Sequence, residues 1–200
     1  MFAKEMLKQS LPLLILCGIG AIIAGSILNL MNSSNPDNNI FLKIPGLLIV
    51  IPAIIAMRGN ISTALGSRLG SAYHLGVIKA DDIFNNELKQ NIVGSLLLSL
   101  IMSFIIGILA YIISFLMGLS DLPHPIIIIF IVVIAGVLSG LILSFLTIGI
   151  IYLVFKQGYD PDNITGPALA TFGDIITILC IFGSAILAGG LLWFIHGKKS

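Results

Sequence analysis

Nine carboxylates are available for chemistry: Glu5, Asp37, Asp81, Asp82, Glu87, Asp121, Asp160, Asp162 and Asp174. Eight of them fall in polar stretches or at the ends of apolar runs, whereas Asp174 lies deep inside one, followed by Ile175, Ile176, Ile178 and Leu179. A charged side chain at the centre of a spanning helix costs roughly 2.5–3.5 kcal/mol on insertion scales. Such residues face a bundle interior or a wet cavity and mark ion paths. Three arrangements accommodate Asp174: an ionised carboxylate on an aqueous path, a protonated one hydrogen-bonded within the bundle, or one close enough to the membrane boundary to stay wet. At helical spacing its face carries Pro167, Ala170, Thr171 and Thr177, with Ile178 interrupting the polar stripe. Gly166-Pro167 just upstream loosens the helix and frees backbone carbonyls, which a membrane tolerates where they line a cavity or are buried in protein. Small residues there also allow close helix packing.

Carboxylate, hydroxyl and carbonyl oxygens without soft ligands suit Mg²⁺, Ca²⁺ or Mn²⁺. Mg²⁺ keeps several of its waters, so one or two carboxylates suffice to hold it. One aspartate per chain makes a thin site, and a two-fold dimer would bring two Asp174 side chains together across a pore. Their mutual repulsion would be relieved by a divalent cation. The three histidines, His74, His124 and His196, lie in separate segments with no i, i+4 pairing and read as interface residues. Cys17 and Cys180 sit in apolar runs, too few and too distant for a disulfide framework or thiolate metal site. Intramembrane hydrolysis would need a second catalytic group beside Asp174, and none is visible, so an enzyme is not expected.

The elements that must carry these residues are membrane helices. Of 200 residues, 58% are hydrophobic and only 10% charged, with a mean hydropathy of +1.12; a soluble domain carries about 25% charged residues. The predicted fold is an all-α integral membrane protein, one domain over 1–200 with spans at about 11–31, 40–58, 92–116, 125–155 and 164–195. The first run, behind Lys4 and Lys8, is too long for a signal peptide. Lys43 and Arg58 bound the second span, and both are expected to snorkel outward. With Arg58 at a boundary, the sequence offers Asp174 no intramembrane Lys, Arg or His partner. Residues 59–90 read as a cytoplasmic linker. Its first half, rich in small and hydroxyl residues, is expected to be a close-packed helix at the inner membrane edge. Its second half, with Lys79, Asp81, Asp82, Glu87 and Lys89, is expected to be solvated. Five spans put Lys4, Lys8, Arg58, Arg68, Lys79, Lys89 and Lys156 on one side, against Lys43, Lys198 and Lys199 on the other. That bias predicts a cytoplasmic N-terminus and an external C-terminus. No dense basic patch exists, so nucleic acid is not an expected partner; membrane lipid is.

Two stretches carry a family likeness. Pro52-Ala53 with Arg58-Gly59-Asn60-Ile61-Ser62 through Leu65-Gly66-Ser67-Arg68-Leu69 is similar to a signature of the MgtE family and its archaeal and animal solute-carrier relatives. So is Asp160-Pro161-Asp162-Asn163-Ile164-Thr165-Gly166-Pro167 running on to Thr171-Phe172-Gly173-Asp174. The resemblance implies a dimer of five-helix units in the plasma membrane with a central Mg²⁺ pathway. It also implies Asp174 as the pore aspartate, with Asn60 and Gly166-Pro167 near the pore. The pattern departs from bacterial members, whose Asn is followed by Gly and Gln where Ser62 and Ala64 stand here. Bacterial members also carry a cytosolic Mg²⁺-sensing region, for which the roughly ten residues ahead of the first span leave no room. Gating of that kind is therefore not expected. Animal relatives join two such units in one chain, so this unit is expected to pair with itself or with a sister half. Three functions remain open: a Mg²⁺ channel or carrier, a proton- or sodium-coupled divalent-cation exchanger, and a non-conducting subunit that needs a partner chain.

Overall fold

A computed structural model describes residues 2–78, 85–119, 122–156 and 161–196. Among them are α1 (Phe2–Met31), a 3₁₀ turn (Pro36–Asn38), α2 (Ile40–Lys43), α3 (Leu47–His74), α4 (Asn86–Leu116), α5 (Pro125–Lys156) and α6 (Pro161–His196). No strand occurs among the described residues. Among the described residues, five helices are long and apolar enough to cross a membrane: α1, α3, α4, α5 and α6. The predicted linker residues Lys79, Asp81 and Asp82, together with Asp121, Asp160, Lys198 and Lys199, lie outside the described residues.

The second span corrects the sequence reading. Residues 40–58 are not one helix: α2 is a single turn capped by Asn39, whose side chain accepts from the backbone N–H of Phe41 at 3.0 Å and Leu42 at 3.1 Å. Nor does the helix stop at Arg58. It runs on to His74, so the segment read as the first half of a linker is the second half of α3. The physical reason is burial: Ile54, Arg58, Ser62, Leu65 and Leu69 all face inward at helical spacing. The helix ends at its C-cap Leu75, after which Gly76 takes a left-handed φ of 70°. Glu87 and Lys89, read as solvated linker, belong to the first turn of α4, which Asn85 caps through Leu88 N–H at 2.9 Å.

The bundle is packed in the manner of membrane proteins, with small residues inside and large apolar ones outside. On α4 the buried face is Ser95, Ser99, Ser103, Gly107, Ala110 and Ser114, while Leu97, Leu98, Ile101, Phe104 and Leu109 point outward. Several of the buried serine hydroxyls are satisfied within their own helices. Ser99 donates to Ser95 O at 2.6 Å, Ser114 to Ala110 O at 2.7 Å and Ser144 to Gly140 O at 2.7 Å. α5 lies antiparallel against this face. Gly107 of α4 sits over Ile129, Ser103 sits over Gly136, and Ser99 sits over Gly140. The Gly136–Gly140 spacing thus serves helix contact.

A left-handed residue opens α3. Gly46 has φ 91° and ψ −16°, and a Cβ there would lie 2.5 Å from Ser114 Oγ and 3.3 Å from Ser114 Cβ. Gly46→Ala is expected to destabilise the protein by about 2 kcal/mol through backbone strain alone. Thermal unfolding in detergent measures this, and an unchanged midpoint would contradict it.

The apolar core is divided in two. Leu47, Val50, Ile54, Ile131, Ile181 and Ala185 form part of one cluster, and Leu65, Leu69, Leu88 and Ile151 part of the other. Between them, α3 contributes Arg58 and Ser62, both buried.

Candidate ion site

α6 packs against α1, α3 and α5. Its contacts with α3 fix the depth of the residues singled out by sequence. A Cβ on Gly66 would lie 3.0 Å from Thr165 Cγ2 and 3.3 Å from Leu169 Cδ1, so Gly66 is level with the middle of that α6 segment. Nearer the start of α3, Arg58 lies within electrostatic reach of Cys180. α3 therefore runs antiparallel to α6. Six residues back from Gly66 is Asn60, and a similar step forward on α6 reaches Gly173 and Asp174, about 9 Å along each axis. Asn60 and Asp174 thus stand at the same depth.

Asp174 is half-buried. Along its face one turn toward the start of α6, Ala170 is exposed, and Gly166 and Pro167 are half-buried. α6 stays helical through Pro167. Asn60 is exposed, on a face of α3 that also exposes Ala53, Ala56, Thr63, Ala64 and Ser67. This face is the reverse of the α4 pattern: a membrane helix showing small and polar residues outward instead of leucine and isoleucine. Thr63 satisfies its hydroxyl by donating to Gly59 O at 2.8 Å.

The remaining sequence-selected residues point elsewhere. Thr171 is buried against α1. Its Oγ1 lies 2.9 Å from Pro167 O and 2.8 Å from Cys17 Sγ, and the Cys17 thiol donates to Pro167 O at 3.1 Å. Gly20 of α1 leaves the room for the Thr171 methyl. Thr177 is fully buried, and its hydroxyl has no hydrogen-bond partner among the described residues. Asp174, Ala170 and Pro167 therefore share an accessible face, whereas Thr171 and Thr177 are held inside the subunit. Among the described residues no three His, Cys, Asp or Glu side chains converge on one point.

Sequence reasoning missed Arg58. Its expected outward snorkelling does not occur: the residue is 1% exposed, while Lys43 is exposed. The guanidinium lies over Gly140 of α5, where any Cβ would collide with Nη1 and Ser99 Oγ would be 3.1 Å away. Its Nε and Nη2 have no hydrogen-bond partner among the described residues. The signal that could have found it is the i, i+4, i+8 spacing of Ile54, Arg58 and Ser62, which places the cation on the buried face once the helix continues.

The family of divalent cation transporters named MgtE matches residues 51–184, a span that includes both Asn60 and Asp174. The chain belongs to the MgtE family. It is 30% identical over 200 residues to solute carrier family 41 member 2 of Homo sapiens, covering 98% of this chain and 32% of that protein. It is 29% identical over 178 residues to the member 2 protein of Xenopus laevis, covering 86% of this chain and 30% of that one. With solute carrier family 41 member 3 of Rattus norvegicus it shares 28% identity over 195 residues, covering 94% of this chain and 40% of the other. This MgtE chain thus spans about a third of the length of the member 2 proteins it matches. No solved structure matches it. Five apolar helices and membership of a transporter family make it a multi-pass membrane protein.

Proposed function

We propose that this chain conducts hydrated Mg²⁺ along a path between two copies of itself, with Asp174 as the ion site. The observation that carries this reading is the accessible Asp174 carboxylate on α6 at the same depth as Asn60 on the small, polar outer face of α3. Lipid is a poor neighbour for such a face, and water or a second helix is a good one. Across a two-fold axis in the plasma membrane, the two carboxylates attract a divalent cation that retains its waters. Asn60, Ala170 and the helical turn at Gly166-Pro167 border the path. Thr171 and Thr177 act from behind, by fixing α6 on its neighbours. A permeant divalent cation gains about 4.6 kcal/mol per 100 mV of membrane potential, so no coupling ion is required. The Lys and Arg bias supports a cytoplasmic N-terminus and an external C-terminus.

Mg²⁺ uptake into liposomes containing only this chain tests the proposal. Uptake is expected to follow an imposed potential and to be indifferent to pH and Na⁺ gradients. Uptake driven by either gradient would instead identify an exchanger, and uptake that needs a second chain would identify a subunit.

The pairing surface has its own test. In a Cys17→Ser, Cys180→Ser background, a cysteine at Ala56 or Thr63 is expected to cross-link with a short bismaleimide into a dimer. A cysteine at the outward-facing Leu98 of α4 should stay monomeric. Equal cross-linking at all three positions would rule out α3 as the contact.

A further inference from the structure

The geometry points to Arg58 as the fixed counter-charge of the ion site, a role that rests on Asp174 being that site. An arginine 1% exposed, with Nε and Nη2 unpartnered among the described residues, is costly to keep inside a membrane protein. Its immediate neighbours among those residues offer little to offset that cost. Ser99 donates its proton to Ser95 O, Gly140 offers only the absence of a side chain, and Cys180 offers only a thiol.

The placement gives the charge a use. Antiparallel register with α6 sets the Arg58 backbone level with residue 175, next to Asp174, because eight residues back from Gly66 is about 12 Å. Side chains on a helix lean toward its N-terminus. On α3 that direction leads toward Cys180, about 9 Å beyond Asp174 along α6. One cation and one anion per chain therefore lie within about two turns of α6, offset by about 9 Å along its axis and further apart by its width. In a pair of chains the two aspartates and two arginines sum to zero when no ion is present. Arriving Mg²⁺ meets the near carboxylates first and the far guanidinium charges second. The arginines weaken its binding and favour its release, as conduction requires. Arg58 touches neither ion nor water on the path; it acts through the field.

The test uses the intact protein, with Mg²⁺ itself as the probe. Arg58→Lys keeps the charge and is expected to leave the half-saturating Mg²⁺ concentration within about threefold of wild type. Arg58→Met and Arg58→Gln remove it. Each is expected to lower half-saturation at least tenfold, to reduce the maximal uptake rate, and to raise the thermal midpoint in Mg²⁺-free buffer. A residue with a merely structural role would lower that midpoint. Arg58→Met and Asp174→Asn should also be non-additive in their effects on the thermal midpoint, because each removes the opposite charge of the other. Unchanged half-saturation in both neutral variants, with additive stabilities, overturns the inference and leaves the ion site standing. The inference also falls if both neutral variants fail to fold while Arg58→Lys folds. Should Asp174→Asn itself keep wild-type Mg²⁺ binding, the ion-site reading is what fails.

Discussion

Asp174→Asn is expected to lower the initial rate of Mg²⁺ uptake more than tenfold while leaving folding and chain pairing intact. The amide has nearly the same shape as the carboxylate and can still bond water, so the substitution isolates charge. In a pair of chains it removes two negative charges from one narrow place. A divalent cation is drawn to a carboxylate twice as strongly as a monovalent one, and in the low-dielectric surroundings of a membrane bundle this attraction is large. Without it, the hydrated ion has nothing to offset the cost of leaving bulk water for a low-dielectric passage. Liposome uptake with a Mg²⁺-sensitive dye, alongside size-exclusion chromatography of the same preparation, measures both quantities. Wild-type uptake by the variant would show that the ion passes elsewhere.

Gly107→Leu is expected to destabilise the bundle by about 3 kcal/mol, at the upper end of the usual cost of overpacking. A Cβ at this position would stand 3.0 Å from Ile129 Cα and 3.3 Å from Ile129 Cγ1. Backbone cannot swing aside as a side chain can, so α4 and α5 must separate along their length. That separation would also disturb the neighbouring contacts of Ser103 with Gly136 and of Ser99 with Gly140, which hold Arg58 in place. Gly94 is the control, because a Cβ there meets nothing within 4 Å. Gly94→Ala should leave stability unchanged or slightly improved, since alanine is the better helix former. Thermal melts of the two variants in the same detergent give the comparison. Equal midpoints would mean that α4 and α5 approach each other less closely than these distances require.

The Gly46 substitution and the cross-links on α3 probe the ends and the outer face of the same bundle. Together with the Arg58 variants they test separately how the helices are held, the proposed pairing of two chains, and the proposed ion path.

Composition and apolar run length made the membrane class and the five long helices readable from sequence. A chain with so few charges cannot coat itself against water, and twenty apolar residues have one common destination. Asp174 was equally legible, because a lone carboxylate inside such a run stands out whatever surrounds it. Sequence could not decide which face of a helix is covered, since that depends on neighbours distant in the chain. Ala170 and Thr171 are adjacent in sequence, yet one is exposed and the other is buried on Cys17 of α1. Arg58 is the sharpest case. A cation at the end of an apolar stretch conventionally marks a boundary, because snorkelling to water is cheaper than burial. Only the tertiary packing, with Gly140 leaving the space and α3 continuing to His74, turns that boundary residue into an interior charge. Local sequence sets the cost of burying a group, and the surrounding helices determine whether the fold incurs it.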